Sequence, residues 1–178
     1  MRAVNGNSIR ARDLVLLRGF TLLELLVVIS LVSILVGLAV PSLTETALSS
    51  KLAEGANRLA TSATMARSEA IKRNEVIKLC ISANGTACTT TGSWEQGWIL
   101  LSGTTTVLLY ERAAPAGFKI TELAGLNSLN FQATGVGSTQ ANFKVCRLTP
   151  SAGAQERVVD INVTGRTFVK RTTTGICA

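Results

Sequence analysis

The sequence predicts an α+β fold in which one long N-terminal helix packs against antiparallel β-sheets. Three observations carry that expectation. An apolar run from Phe20 to Val40 spans 21 residues with a single ionisable side chain, Glu24. Behind it Leu48, Leu52, Ala56, Leu59, Ala63, Ala66 and Ala70 recur three or four residues apart, the period of one helical face. From Glu75 onward the period drops to two, and short β-branched and aromatic runs alternate with polar or Gly-rich breaks. A helix followed by seven or eight short strands has only those strands against which to bury its stripe.

The first nineteen residues carry Arg2, Arg10, Arg12 and Arg18 against Asp13. At roughly 1.5 Å per residue, a helix over 20–40 reaches about 30 Å, the thickness of a bilayer core. Positive charge ahead of such a span keeps the N-terminus in the cytoplasm and implies that the rest of the chain is exported. A carboxylate in a hydrophobic helix costs about 2.5–3.5 kcal/mol at mid-bilayer, so Glu24 is expected to have a partner. An ordinary secretory signal places a small-residue cleavage site after its apolar core; here Gly19 lies before it.

Pro41 closes the apolar run and is expected to kink the helix, because its ring removes one backbone hydrogen bond and crowds the preceding turn. Gly37 and Gly55 are further weak points. Beyond Pro41 the helix becomes amphipathic, its buried stripe mostly Ala so that a sheet can approach closely, with Lys51, Glu54, Arg58, Arg67, Glu69 and Lys72 on the polar side. The chain therefore divides into a leader (1–19), a membrane-spanning half-helix (20–40), an amphipathic half-helix (41–74) and a β-rich head (75–178). Strands are expected at 76–81, 97–101, 106–110, 118–120, 128–131, 142–146, 157–163 and 166–169, with exposed loops at 84–93, 102–105 and 134–141.

Composition narrows the function classes. The chain has no histidine and no cluster of carboxylates with metal-ligand or hydrolytic spacing, which removes histidine-based proton transfer and points away from enzymes, metals and cofactors. The formal charge of +7 over 178 residues falls to +4 without the first nineteen, a mild excess that does not by itself indicate nucleic-acid binding. Cys80, Cys88, Cys146 and Cys177 all fall in the part expected outside the cytoplasm, where disulfides form. Of three connectivities, Cys80–Cys88 and Cys146–Cys177 are favoured: one closes a short Gly- and Thr-rich loop, the other pins the C-terminal tail to a strand. A four-thiolate zinc site is the rival, but paired short spacings are missing.

The stretch Gly19-Phe20-Thr21-Leu22-Leu23-Glu24-Leu25-Leu26-Val27 resembles the class III leader of type IV pilins and type II secretion pseudopilins. The resemblance implies that a prepilin peptidase cuts after Gly19 and methylates Phe20, and that Glu24 pairs with the N-terminal amine of a neighbouring subunit. Pro41 falls on the proline at mature position 22. Two buried charges that neutralise each other across subunits favour one register and penalise others. Further on, Ala66-Arg67-Ser68-Glu69-Ala70, Trp94…Gly97-Trp98-Ile99, Leu129-Asn130-Phe131…Gly135 and Gly165-Arg166 occur in an order similar to that of the GspH/FimT group of minor pilins and pseudopilins. That group implies the type IV pilin fold, residence in the inner membrane with the head periplasmic and later in a filament, major and minor pilins as partners, and no small-molecule substrate. Three functions follow: a type IV pilus subunit priming assembly at the tip, the equivalent pseudopilin of a type II secretion system, and a DNA-receptor pilin for natural transformation.

The third rests on Arg166, Lys170 and Arg171. FimT-like proteins carry a Gly-Arg-x-Arg element near the C-terminus associated with DNA capture; here Gly165 and Arg166 match, but Phe168 takes the second Arg position. Strand alternation separates Arg166, Phe168 and Lys170 from Thr167, Val169 and Arg171. With Ile161 across a Thr164-Gly165 turn, Phe168 is expected in the core, leaving Arg166 and Lys170 as rim charges. Trp94 and Trp98 read as core or interface rather than base-stacking platforms. Asn84-Gly85-Thr86 and Asn162-Val163-Thr164 match glycosylation sequons by chance in this context.

Overall fold

The structure is a computed structural model that describes residues 19–136, 138–151, 155–173 and 177, with the backbone alone for 38–42. One helix, α1 (Leu22–Arg73), is followed by eight strands: β1 (Ile77–Ile81), β2 (Gly97–Ser102), β3 (Thr106–Arg112), β4 (Phe118–Glu122), β5 (Ser128–Phe131), β6 (Ala141–Arg147), β7 (Glu156–Ile161) and β8 (Thr167–Thr172). The chain forms two compact units whose boundary falls between Pro41 and Ser42.

The unit ending at Pro41 contributes the apolar part of α1. From Leu22 to Val36 its large side chains are exposed on every side, and a helix that is apolar all round requires apolar surroundings from outside its own chain. Among the described residues no helix is long and apolar enough to cross a membrane; the side chains of 38–42, which end the apolar run, lie outside them, as do residues 1–18 of the expected leader.

The second unit holds two antiparallel four-stranded sheets, one in the order β3-β2-β1-β5 and the other β4-β6-β7-β8. Leu52, Ala56, Leu59, Ala63, Ala66 and Ala70 of α1 are fully buried, while Leu48, at the foot of the stripe, is half-buried. Against this stripe pack Ile77, Leu79, Ile81, Trp98, Leu100, Leu129 and Phe131 of the first sheet and Ile120, Phe143, Val145, Val159 and Ile161 of the second, in one continuous core. Alanines at the contact let the backbones come close, so both sheets share a single helix face.

The two tryptophans lock this arrangement. Trp94 stands edge-on to Phe143 with ring centroids 4.9 Å apart and donates its indole N–H to the Leu126 carbonyl at 2.8 Å. Trp98 donates to the Ser62 hydroxyl on α1 at 2.9 Å, and the Arg58 guanidinium lies 5.9 Å above its ring while bonding Glu111 of β3 through Nε at 2.9 Å. A buried Trp with its N–H satisfied contributes packing without an orphan donor.

All four cysteines are paired: Cys80 with Cys88 and Cys146 with Cys177. Cys80 packs with Ile99 and Leu101 in a second, smaller apolar cluster. Inside the loop that it closes, the Asn84 Oδ1 accepts the Thr86 and Ala87 N–H groups, so this sequon asparagine serves as a turn acceptor.

The β7–β8 hairpin departs from expectation in two respects. β7 ends at Ile161 rather than Val163, because Asn162 Oδ1 accepts from the Thr164 and Arg166 backbones and the Thr164 hydroxyl. This Asx-type turn ends the ladder. Gly165 completes it at φ +69°, where an added Cβ would stand 2.8 Å from Arg67 Cδ. Consequently Ile161 pairs with Thr167 and not with Phe168. Phe168 faces away from the core and is 42% exposed, which corrects the expectation that it is buried: a one-residue change of register moves a side chain to the other face.

Candidate functional site

Two places carry the residues singled out in the sequence, and they lie in different units. At the first, Thr21 is the N-cap of α1. Its hydroxyl accepts the Glu24 N–H at 3.2 Å and its carbonyl accepts the Leu25 N–H at 3.1 Å, so Thr21-x-x-Glu24 forms the backbone half of a capping box. The cap went unnoticed in the sequence, although Thr three residues ahead of Glu is its ordinary signature. Glu24 thus occupies the first helical turn, where the exposed N–H groups favour a negative side chain by about 0.3–1 kcal/mol. Its carboxylate is exposed and makes no ion pair or hydrogen bond among the described residues. Gly19 and Phe20 precede the helix and are exposed.

The second place is the β7–β8 hairpin. Lys170 Nζ is 2.7 Å from Asp160 Oδ2, across the outer face of the sheet. Arg166 lies over the exposed Phe168 ring, 5.2 Å from its centroid. Arg171 is on the opposite face, directly across the ladder from Arg157. The three candidate cations therefore form no common stripe: one is neutralised, one stacks on an aromatic ring, and the third faces α1. Arg157 was missed as its companion; the signal was the turn length, which sets which residues oppose.

Arg157 reaches α1, its Nη2 donating to the Ser49 hydroxyl at 3.2 Å, and its Nη1 donates to the Glu156 carbonyl. Burial lowers its pKa from the ordinary value, and the neighbouring Arg171 charge lowers it further. One strand over, the fully buried Arg147 side chain has Nη2 2.8 Å from the Ser151 carbonyl and 3.7 Å from Glu45 of α1. Its Nε and Nη1 have no hydrogen-bond partner among the described residues.

A third polar centre organises the fold rather than a ligand. Glu122 is buried, and its carboxylate accepts the backbone N–H groups of Ala124, Leu126 and Asn142 at 2.9, 2.7 and 3.2 Å. No group of three or more metal-binding side chains occurs among the described residues.

Comparison with known proteins adds two family matches. The model for type II transport protein GspH matches residues 55–165, and that for the prokaryotic N-terminal methylation motif matches residues 18–40. The pilin-like protein PilA1 of Thermus thermophilus is 46% identical over 68 residues, 38% of this chain; the match spans only 42% of that protein's length. Among solved structures, the type IV minor pilin FimU of Pseudomonas aeruginosa is similar with a TM-score of 0.56 at 20% identity, covering 71% of this chain and 95% of that one. The minor pseudopilin EpsH of the Vibrio cholerae type 2 secretion system gives 0.51 at 10% identity, covering 68% and 97%. These two likenesses establish the fold: a long N-terminal helix on antiparallel sheets.

Proposed function

The chain belongs to the GspH family of minor pilins and pseudopilins, structural filament subunits, and from that membership we propose that it is a minor pilin of a type IV pilus that primes assembly at the tip. The observation that carries this reading is the head of α1. A methylation motif covers it, the helix behind it is apolar all round, and Glu24 stands in the first turn without a partner among the described residues. Cleavage after Gly19 would leave Phe20 as a new N-terminal amine one turn ahead of Glu24. In an apolar medium such a carboxylate is stable beside an amine from another subunit, because the attraction between two charges grows as the dielectric falls. The apolar surface of α1 is covered by lipid before assembly and by neighbouring helices after it. The exported, disulfide-bonded head and the cationic first nineteen residues support an inner-membrane precursor with its N-terminus in the cytoplasm.

The equivalent pseudopilin of a type II secretion system shares every one of these features. Deleting the gene and counting surface pili alongside secreted protein separates the two readings. Loss of pili, restored by the wild-type chain but not by Glu24→Ala, with secretion unchanged, is the expected result. Normal piliation with substrates retained in the periplasm would reassign the chain to secretion. The DNA-receptor reading requires Arg166, Lys170 and Arg171 to act together, and their placement on two faces counts against it.

A further inference from the structure

The inner face of the second sheet carries its apolar side chains toward α1 until the foot of the helix, where the pattern stops and arginine replaces it. Val145, Val159 and Ile161 are buried in the core. Beyond them on the same face stand Arg147 of β6, Arg157 of β7 and Arg171 of β8, one on each of three adjacent strands, with Arg157 directly opposite Arg171. Like charges directly opposite in an antiparallel pair are destabilising, so the arrangement calls for an anion.

Among the described residues there are too few of them. Glu45 is engaged with Arg147. Alternation puts Glu156 and Asp160 of β7 on the outer face, where they are engaged with Lys144 and Lys170. Glu54 of α1 lines a groove with Arg58 and Glu111 of β3, on the other flank of the helix. Arg157 has only the Ser49 hydroxyl and a backbone carbonyl as acceptors, and Arg171 has no hydrogen bond or ion pair among the described residues. Among the described residues, three guanidiniums thus face one carboxylate.

We propose that Arg157, bonded to Ser49 of α1, and Arg171, directly opposite it on β8, are a docking site for a carboxylate side chain of a neighbouring filament subunit. A planar guanidinium presents paired donors that match a carboxylate's two oxygens, and two of them facing across one ladder bracket a single acidic group. The geometry favours a discrete acid over a nucleic-acid backbone, which needs a run of cations. The remaining hairpin cations do not continue the site, since Lys170 is held by Asp160 and Arg166 lies over Phe168 on the opposite face. The inference rests on the filament-subunit reading and sharpens it: α1 selects the bundle, and this arginine pair selects the neighbour.

Substitution at Arg171 separates docking from folding. In the purified head (42–178), a compact unit with its own core, Arg171→Glu replaces a repulsion by a cross-strand ion pair and is expected to raise Tm by about 2–4 °C, with Arg171→Gln between it and wild type. In cells, the same Arg171→Glu chain is expected to fall about tenfold in sheared filaments relative to its cellular level, the scale of one lost charge-assisted contact, while Arg171→Lys stays closer to wild type. A drop in Tm for Arg171→Glu would show that the arginine pair is needed by the fold and would overturn the proposal, as would normal filament levels of that variant. Glu24→Ala is run in parallel. If Glu24→Ala is excluded and Arg171→Glu is not, only this inference fails; if wild type is missing from filaments, both readings fail. Retention of a duplex DNA by the head in a gel shift, abolished by Arg171→Glu, would assign the pair to nucleic acid instead and likewise overturn it.

Discussion

Gly55 sits in the middle of α1, on the half-buried margin of the helix stripe, and nothing in its backbone requires glycine. A Cβ built there meets one atom, Val145 Cγ1 at 3.5 Å, an ordinary van der Waals contact. Gly55 also lines a cavity of about 30 Å³ with Trp98, Phe118, Ile120 and Val145, room for roughly one water or one methyl group. Replacement by alanine therefore adds two favourable terms. Removing a glycine from a helix interior is worth about 0.8–1 kcal/mol, and covering a methyl group contributes up to about 0.8 kcal/mol, less here because the position is half-exposed. The sum is about 1–1.5 kcal/mol, which for a head of this size raises Tm by about 3–6 °C. Thermal unfolding of the head with and without Gly55→Ala, followed by circular dichroism, measures it. Gly165→Ala is the control: its left-handed φ and the 2.8 Å approach of Arg67 Cδ predict a loss of stability at that site. A lower Tm for Gly55→Ala would refute the reasoning, because it would mean that the gap is occupied or the helix distorted in a way that these contacts do not contain.

Other consequences can be checked on the same domain. Glu122→Ala strands three backbone donors in a buried turn, and urea titration should show a loss of about 2–4 kcal/mol, in the range of charge-assisted bonds to buried groups. Replacing Cys80 and Cys88 together by serine opens an eight-residue separation and should cost about 2–3 kcal/mol by the loop-closure argument, read from the same titration. Glu69 is held below its ordinary pKa chiefly by its hydrogen bond from Arg73, with the Lys72 charge adding to it. A depressed carboxylate stabilises above its unfolded value and loses that contribution as pH falls through the depressed one. Amide protection factors in the last turn of α1, taken relative to the intrinsic exchange rate at each pH, should therefore fall on acidification across that window, and Glu69→Gln should abolish the change.

Local pattern and long-range pairing were legible to different degrees. The helix boundaries, its alanine stripe and the approximate position of every strand follow from periods of 3.6 and 2 that neighbouring residues reveal by themselves. The division of eight strands into β3-β2-β1-β5 and β4-β6-β7-β8 does not, since it depends on which edges meet after folding. The hairpin shows how fine the margin is. A turn closed by Asn162 rather than by Thr164-Gly165 alone shifts the pairing by one residue, which exposes Phe168 and sets Arg171 against Arg157. Glu122 was invisible for a related reason: a lone glutamate at a strand end becomes an organising acceptor only when the turn behind it folds back to present two N–H groups and a third, from Asn142, arrives on another strand. At the N-terminus, by contrast, Gly19, Phe20, Thr21 and Glu24 are adjacent in the chain, and their pattern needs no tertiary information.

The bond between Cys146 and Cys177 has a mechanical meaning. It encloses β7 and β8 entirely within one covalent loop that starts on β6. A filament subunit is loaded through its N-terminal helix, and an open C-terminus would be the natural place for strands to peel away one at a time under tension. With the loop closed, unzipping of the outer strands cannot lengthen the chain beyond the loop itself. Force must instead shear α1 along the core that both sheets share, where many contacts resist together rather than in succession.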